Sequence, residues 1–193
     1  MSDENEQPAE LPAPTHTEFD VSADEVTILS QQLGGIAGAY FEDGKLFVPN
    51  EIASQISTTL HDLPAIVLAS AKSKAIAILT DACAAAIVSG YTSSALGSEH
   101  QYPSKVTDQI NMMGSVTDSL LPEQPADWST PFWCADETGA WAFRLHTATQ
   151  IQAAGVAGKA HILQCQTILG QLSAQVMAAA SAEAVEAIVW EAE

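Results

Sequence analysis

His161 and Cys165 stand four residues apart, a spacing that sets two ligands on one helical turn and supplies half of a zinc site. No second pair is placed to complete it, and His16, His61, His100 and His146 are scattered, so Cys165 reads first as a small buried hydrophobe. The segment AAGVAGKA (153–160) approaches a phosphate loop. It carries Ala153 and Ala160 where such a loop needs a glycine and a magnesium-binding hydroxyl. Gly34-Gly35-Ile36-Ala37-Gly38 misses the dinucleotide fingerprint by one position and has no strand before it. No serine occupies a G-x-S-x-G elbow. Cys134 lies between aromatic residues rather than at a helix N-terminus that would activate it. His100, Tyr102 and Arg144 would favour an enzyme only if they lined a deep pocket. Each template fails on a named residue, and the expectation is a protein without catalytic residues, cofactor or metal.

Charge narrows the partners. Six Lys and Arg face 24 Asp and Glu, a formal net charge of −18. Nucleic-acid binding runs on phosphate neutralisation by cations, so that class is excluded, as is an anionic membrane surface. Eight acidic residues fall within the first 25, and no Lys or Arg precedes Lys45. No uninterrupted apolar run approaches the roughly 20 residues of a spanning helix, and the acidic N-terminus does not resemble a signal peptide. Three cysteines at wide spacing predict reduced thiols. These features point to a protein folded in a cytoplasm.

The elements that would position any site read as an α+β chain in three parts. Residues 1–18 combine acid and proline and are expected to be disordered alone. Residues 19–64 read as a small hairpin-helix module. Ser22-Ala-Asp-Glu25 fits a capping box, with strand propensity in VTIL competing. Tyr40-Phe41 and Leu46-Phe47-Val48 flank Asp43-Gly44 as a tight hairpin, and Ile52, Ile56 and Leu60 mark a helix that ends at Pro64. Residues 65–193 form the main domain. Its parts are a helix over 65–89, a hairpin turning at Gly97-Ser98, and a helix from about 106 to 120 with Ile110, Met113 and Val116 inward. A hairpin over 131–145, a long helix opened by the capping box Thr147-x-x-Gln150, and a short helix from Ser181 to Trp190 complete it. The two hairpins would form one small antiparallel sheet packed against the long helices.

Two stretches carry the most area. Residues 127–152 hold three of four tryptophans (Trp128, Trp133, Trp141) and the only arginine, Arg144. Trp141, Phe143 and Leu145 alternate onto one strand face, and the first reading buries them under a covering helix; the alternative is a surface patch for a partner. The long helix repeats Ile151, Gly155, Gly158, Ile162, Cys165, Leu169, Leu172, Val176 and Ala179 in steps of four and three, as in a coiled-coil seam. That seam packs either on the 65–89 helix of its own chain or between chains. Gly155 and Gly158 would permit close approach.

From about Lys72 to Trp190 the chain resembles a domain of unassigned function common in tailed bacteriophages, encoded beside tail-fibre genes and often labelled a tail-fibre or tail-fibre assembly protein. The likeness is carried by SSALGSEHQYPS (93–104), DQINMMGSV (108–116), the DW…PFWCADETGAWAFRLHTATQIQ stretch (127–152) and EAVEAIVW (183–190). The module from Tyr40 to Leu60 looks like small N-terminal segments of some phage tail-fibre accessory proteins. The resemblance implies a non-enzymatic tail protein that binds a tail-fibre or baseplate protein. It would act as an assembly chaperone in the host cytoplasm or as a virion component. Trp128, Phe132, Trp133 and Arg144 are the candidate partner-binding residues. A different class, an acidic inhibitor of a basic host protein, stands as the alternative.

Overall fold

The computed structural model describes residues 15–122 and 124–191, which divide into two compact units at Ala69/Ser70. The division lies five residues beyond the 64/65 boundary read from the sequence. Residues 1–14 of the expected disordered leader lie outside the described residues, whereas 16–18 are strand.

In the first unit, β1 (His16–Asp20), β2 (Tyr40–Glu42) and β3 (Lys45–Pro49) form an antiparallel sheet in the order β1-β3-β2. The β2–β3 hairpin turns on Asp43 and Gly44, both at positive φ (49° and 77°), as a tight primed turn requires. Helix α1 (Ala23–Leu33) starts with the predicted box: the Ser22 hydroxyl accepts from the Glu25 N–H and the Glu25 carboxylate accepts from the Ser22 N–H. Gly34 ends it in the left-handed region, so the glycines at 34–38 are helix punctuation rather than a nucleotide loop. Leu29, Leu46, Val48 and Ile56 are the core of this unit.

Helix α2 is one element, Ala53–Val88, with Pro64 inside it. The sequence reading split it there, because proline removes an N–H and crowds the preceding turn. Pro64 is exposed, on the solvent side of the helix, while neighbouring Leu63 is buried. By length and composition α2 is also apolar enough to cross a membrane, with an 18-residue window of mean hydropathy 1.5. The search for an unbroken apolar run missed this because Lys72 and Lys74 interrupt it. Only 11% of that window is buried.

The second unit is built on a four-stranded antiparallel sheet, β4 (Tyr91–Ser93), β5 (His100–Tyr102), β6 (Ser129–Ala135) and β7 (Trp141–Thr147), in that order. Both predicted hairpins therefore share one sheet, joined through Gln101 opposite Ala135. Helix α3 (Val106–Asp118) intervenes, and α4 (Ala148–Ala178) follows β7 directly, capped by Thr147 and Gln150 as read from the sequence. Helix α5 is shorter than expected, Ala182–Glu186, with Ser181 capping it.

The seam of α4 is occupied within the chain. Ile151, Ala154, Gly158, Cys165 and Val176 are buried. At its N-terminal end the seam meets α3 and β4. A Cβ on Gly155 would lie 2.8 Å from Val116 Cγ2, and one on Gly158 would lie 2.8 Å from Tyr91 Cζ. Farther along it meets α2 running antiparallel: His161 Nε2 bonds the Ala86 carbonyl at 3.0 Å and Lys72 Nζ donates to the Met177 carbonyl at 2.7 Å. The Ala179 N–H serves the Gln175 and Val176 carbonyls, so Lys72 satisfies the next of the orphan acceptors at this helix end.

Candidate functional site

The turn between β6 and β7 sets the sheet's faces. Asp136 N–H donates to the Ala140 carbonyl (3.2 Å) and Gly139 N–H to the Asp136 carbonyl (2.8 Å), with Gly139 at φ 82°. The Asp136 carboxylate also accepts from Thr138 Oγ1 (2.6 Å) and N–H, the Ala140 N–H and Arg144 (2.6 Å). The Thr138 hydroxyl first, then the Ala140 N–H and with them Arg144, hold this carboxyl well below the usual carboxylate range. From this turn the register runs Trp133 opposite Phe143 and Pro131 opposite Leu145.

The inner face carries Phe132, Cys134 and His146, all buried, with Ala142 and Arg144 half-buried. It packs on Tyr91, Tyr102, Met112, Ile151 and Ala154. His146 is fully enclosed, and its Nδ1 faces the Arg144 carbonyl at 2.8 Å, an acceptor only. Nδ1 therefore holds the proton, and Nε2 accepts from the Tyr102 hydroxyl at 2.9 Å. Burial pushes the His146 pKa down, as it pushes the Tyr102 and Cys134 pKa values up. This is a satisfied buried network in neutral form.

The outer face overturns the first sequence reading, burial under a helix, and has the exposure of the second. Trp141 (41%), Phe143 (70%) and Leu145 (67%) are exposed beside Trp133 (41%). Trp133 stacks on Trp141 (ring centroids 6.2 Å) and meets Phe143 edge-on at 5.0 Å. Single-strand area ranking put these side chains in the core. The register overrides it: the face shared with Phe132 and Cys134 also holds Arg144 and His146. There both His146 nitrogens and Nη2 of Arg144 are hydrogen-bonded, and Arg144 Nε is buried without a partner among the described residues. Helix α3 departs from expectation in part. Ile110 (56%) and Met113 (65%), expected inward, are exposed beside Val106 (66%), Met112 is buried, and Val116 packs on the core as expected.

These surfaces adjoin. A cleft of about 710 Å³ separates α3 from the outer face and is lined by Ile110, Gly114, Pro131, Trp133 and Phe143. A second groove of about 720 Å³ lies between α3 and α4, lined by Ile110, Met112, Met113, Val116, Val156 and Ile162. Pro103, Asp108 and Ile110 belong to both, so the two openings adjoin at Ile110, with the Asp108 carboxylate at their junction. Exposed apolar area of this extent, with its rings already packed on one another, suits docking of another polypeptide.

Of the four residues chosen from sequence, Trp133 is on this surface. Phe132 is buried on the opposite face, because adjacent strand residues alternate, yet it also forms part of the lining of the α3 cleft. Arg144 also points inward, to Asp136 and the Ala140 carbonyl. Trp128 is half-buried against the core and donates Nε1–H to Asp118 at 3.2 Å. Sequence reasoning missed Ile110 and Met113 as surface residues, and held exposure only as the second reading for Phe143 and Leu145. The signal available was Arg144 and His146 alternating with them: two polar groups with specific partners on one strand face. His100 bonds the Ser98 carbonyl within its hairpin, and Tyr102 is sealed in the core. The AAGVAGKA segment is mid-helix in α4. His161 and Cys165 approach at 3.8 Å, and among the described residues no group of three or more His, Cys, Asp or Glu is placed to hold a metal ion.

The chain belongs to a family described as a domain of unknown function (DUF4376), whose model matches residues 70–189, nearly the whole second unit. Neither the curated proteins nor the solved structures contain a match to it.

Proposed function

We propose that this DUF4376 protein is a non-enzymatic docking protein whose outer sheet face and α3 stripe hold a phage tail-fibre or baseplate protein, during assembly or in the finished tail. One observation carries the docking reading: Trp133, Trp141, Phe143 and Leu145 form an exposed face, its three rings packed on one another, while Arg144 and His146 on β7 turn inward beside Phe132 and Cys134. Tryptophan and its aromatic neighbours are the side chains on which interface energy concentrates. The choice of partner comes from the phage resemblance of residues 72–190, and the net charge of −18 suits a protein that keeps an apolar client dispersed.

Co-expression with a tail-fibre protein from the same genome is the test. Wild-type protein is expected to co-purify with the fibre protein and raise its soluble yield. The double substitution Trp133→Ser/Phe143→Ser is expected to weaken the complex at least about tenfold, the equivalent of ~1.4 kcal/mol. Absence of co-purification with unchanged fibre solubility would reject the proposal. Mass spectrometry of particles separates the two roles, since a virion component is present stoichiometrically and a chaperone is not.

A further inference from the structure

β7 is the last strand of its sheet, and its free edge has a defined set of main-chain groups. The Asp136 N–H to Ala140 carbonyl bond makes that residue pair a hydrogen-bonded one. Antiparallel pairs alternate, so Ala142, Arg144 and His146 bond to β6, and the N–H and C=O groups of Trp141, Phe143 and Leu145 point away from it. Pro131 agrees with this phase: it lies opposite Leu145, where β6 needs no donor toward β7. Edge strands of monomers are usually blunted by a lysine, a proline, a bulge or an inward-pointing charge. β7 is seven residues long and regular in its pairing with β6, and it has no lysine, proline or bulge. It does carry one inward charge, Arg144, but that guanidinium is paired with Asp136 at 2.6 Å at the hairpin turn and leaves the outer-face row of Trp141, Phe143 and Leu145 uncharged.

We propose that the β7 edge pairs antiparallel with β7 of a second copy of this chain, making one continuous eight-stranded sheet whose two aromatic faces adjoin. The edge is self-complementary. A two-fold axis at Phe143 sets Phe143 against its own copy and Trp141 against the second copy's Leu145, aromatic and aromatic–aliphatic cross-strand pairs. No like charges meet at the axis. With the three aromatics taken at ~200 Å² each, their exposed fractions leave about 300 Å² per copy around this line. That is below the roughly 1,200 Å² total of a stable interface, so the association is expected in the micromolar range. Net charge of −18 opposes it at long range, and salt screens that term, so added salt tightens the dimer. A basic partner on the same edge would respond to salt in the opposite sense. The inference does not depend on the identity of any client.

The experiment is sedimentation of the full chain between about 5 and 500 µM, with backbone amide exchange at both ends of the range. The expected result is monomer passing to dimer, favoured by salt, with exchange at Trp141, Phe143 and Leu145 slowed roughly tenfold at high concentration. Leu145→Pro removes an edge donor without touching the β6 ladder and is expected to keep the chain monomeric. Should Leu145→Pro misfold, the exchange pattern of the wild type still decides. A wild-type monomer throughout, or a dimer whose three edge amides exchange as in the monomer, overturns the proposal. So does protection of those amides that appears only when another protein is added.

Discussion

Gly158→Ala tests the packing that positions the whole sheet. In an exposed helix interior this change would stabilise by about 1 kcal/mol, because alanine has less backbone freedom to lose. Gly170, in the same helix with nothing within 4 Å of an added Cβ, should show that gain. At Gly158 the new carbon would lie 2.8 Å from Tyr91 Cζ, 3.0 Å from Cε1 and 3.1 Å from the hydroxyl. Tyr91 cannot retreat freely, since its ring is stacked on fully buried Tyr102 at 5.3 Å. Overpacking of this kind costs roughly 1–3 kcal/mol, and a rigid ring puts it toward the upper end. The net expectation is a loss of about 1–2 kcal/mol for Gly158→Ala against a gain of about 1 for Gly170→Ala. For a chain of this size that difference is a separation of roughly 4–12 °C in Tm. Gly155→Ala should fall between them, because Val116 is half-buried on a short helix that can shift. Thermal and denaturant unfolding of the three variants would measure this. A Gly158→Ala protein as stable as Gly170→Ala would refute the close approach of α4 to β4.

The buried histidine predicts a pH dependence. Its folded pKa lies below the usual 6.5, so the unfolded chain binds the proton first. Its contribution to stability is complete above pH 6.5 and is lost as pH falls below it; Tm should drop between pH 7.5 and 5.5, and His146→Gln should flatten that drop. Cys83, Cys134 and Cys165 are all buried, and burial raises the Cys134 thiol pKa, so a thiol reagent should label them only in step with unfolding. Fast labelling of the native protein would contradict that burial. Asp136→Ala should speed amide exchange at Thr138 and Ala140 while leaving the cap at Thr147 protected, because one carboxylate holds the β6–β7 turn. Phe143→Ser and Leu145→Ser, at mostly exposed positions, should leave unfolding within about 0.5 kcal/mol of wild type.

The parts of the fold that were legible in sequence are those decided locally. Ser22 and Thr147 announce their helices because a hydroxyl and a residue three places on satisfy the first amides. Asp43-Gly44 announces its hairpin through positive φ. The seam of α4 was legible because steps of three and four hold for 28 residues, although whether its partner was the same chain or another was left open. Facing was not legible where it depends on a neighbour distant in sequence. The inside of β7 is decided by its register with β6 and by Tyr102, 44 residues before His146. Ile110 and Met113 looked inward by helical periodicity alone. Strand β1 was missed because acidic residues surround it, and Pro64 was read as a stop because its exposure could not be seen. The exposed apolar surface is the part least accessible from sequence, since it is defined by large apolar groups on the side their periodicity does not predict.

Lys72 has a consequence for the alignment of two helices. Its ammonium holds one particular carbonyl, that of Met177, across 105 positions of chain. Sliding α2 along α4 by a single turn, about 5.4 Å, would carry that donor past its acceptor. At the other end of the pair the same slip would part the His161 ring from the Ala86 carbonyl. The two contacts together act as detents that give the helix pair one resting position.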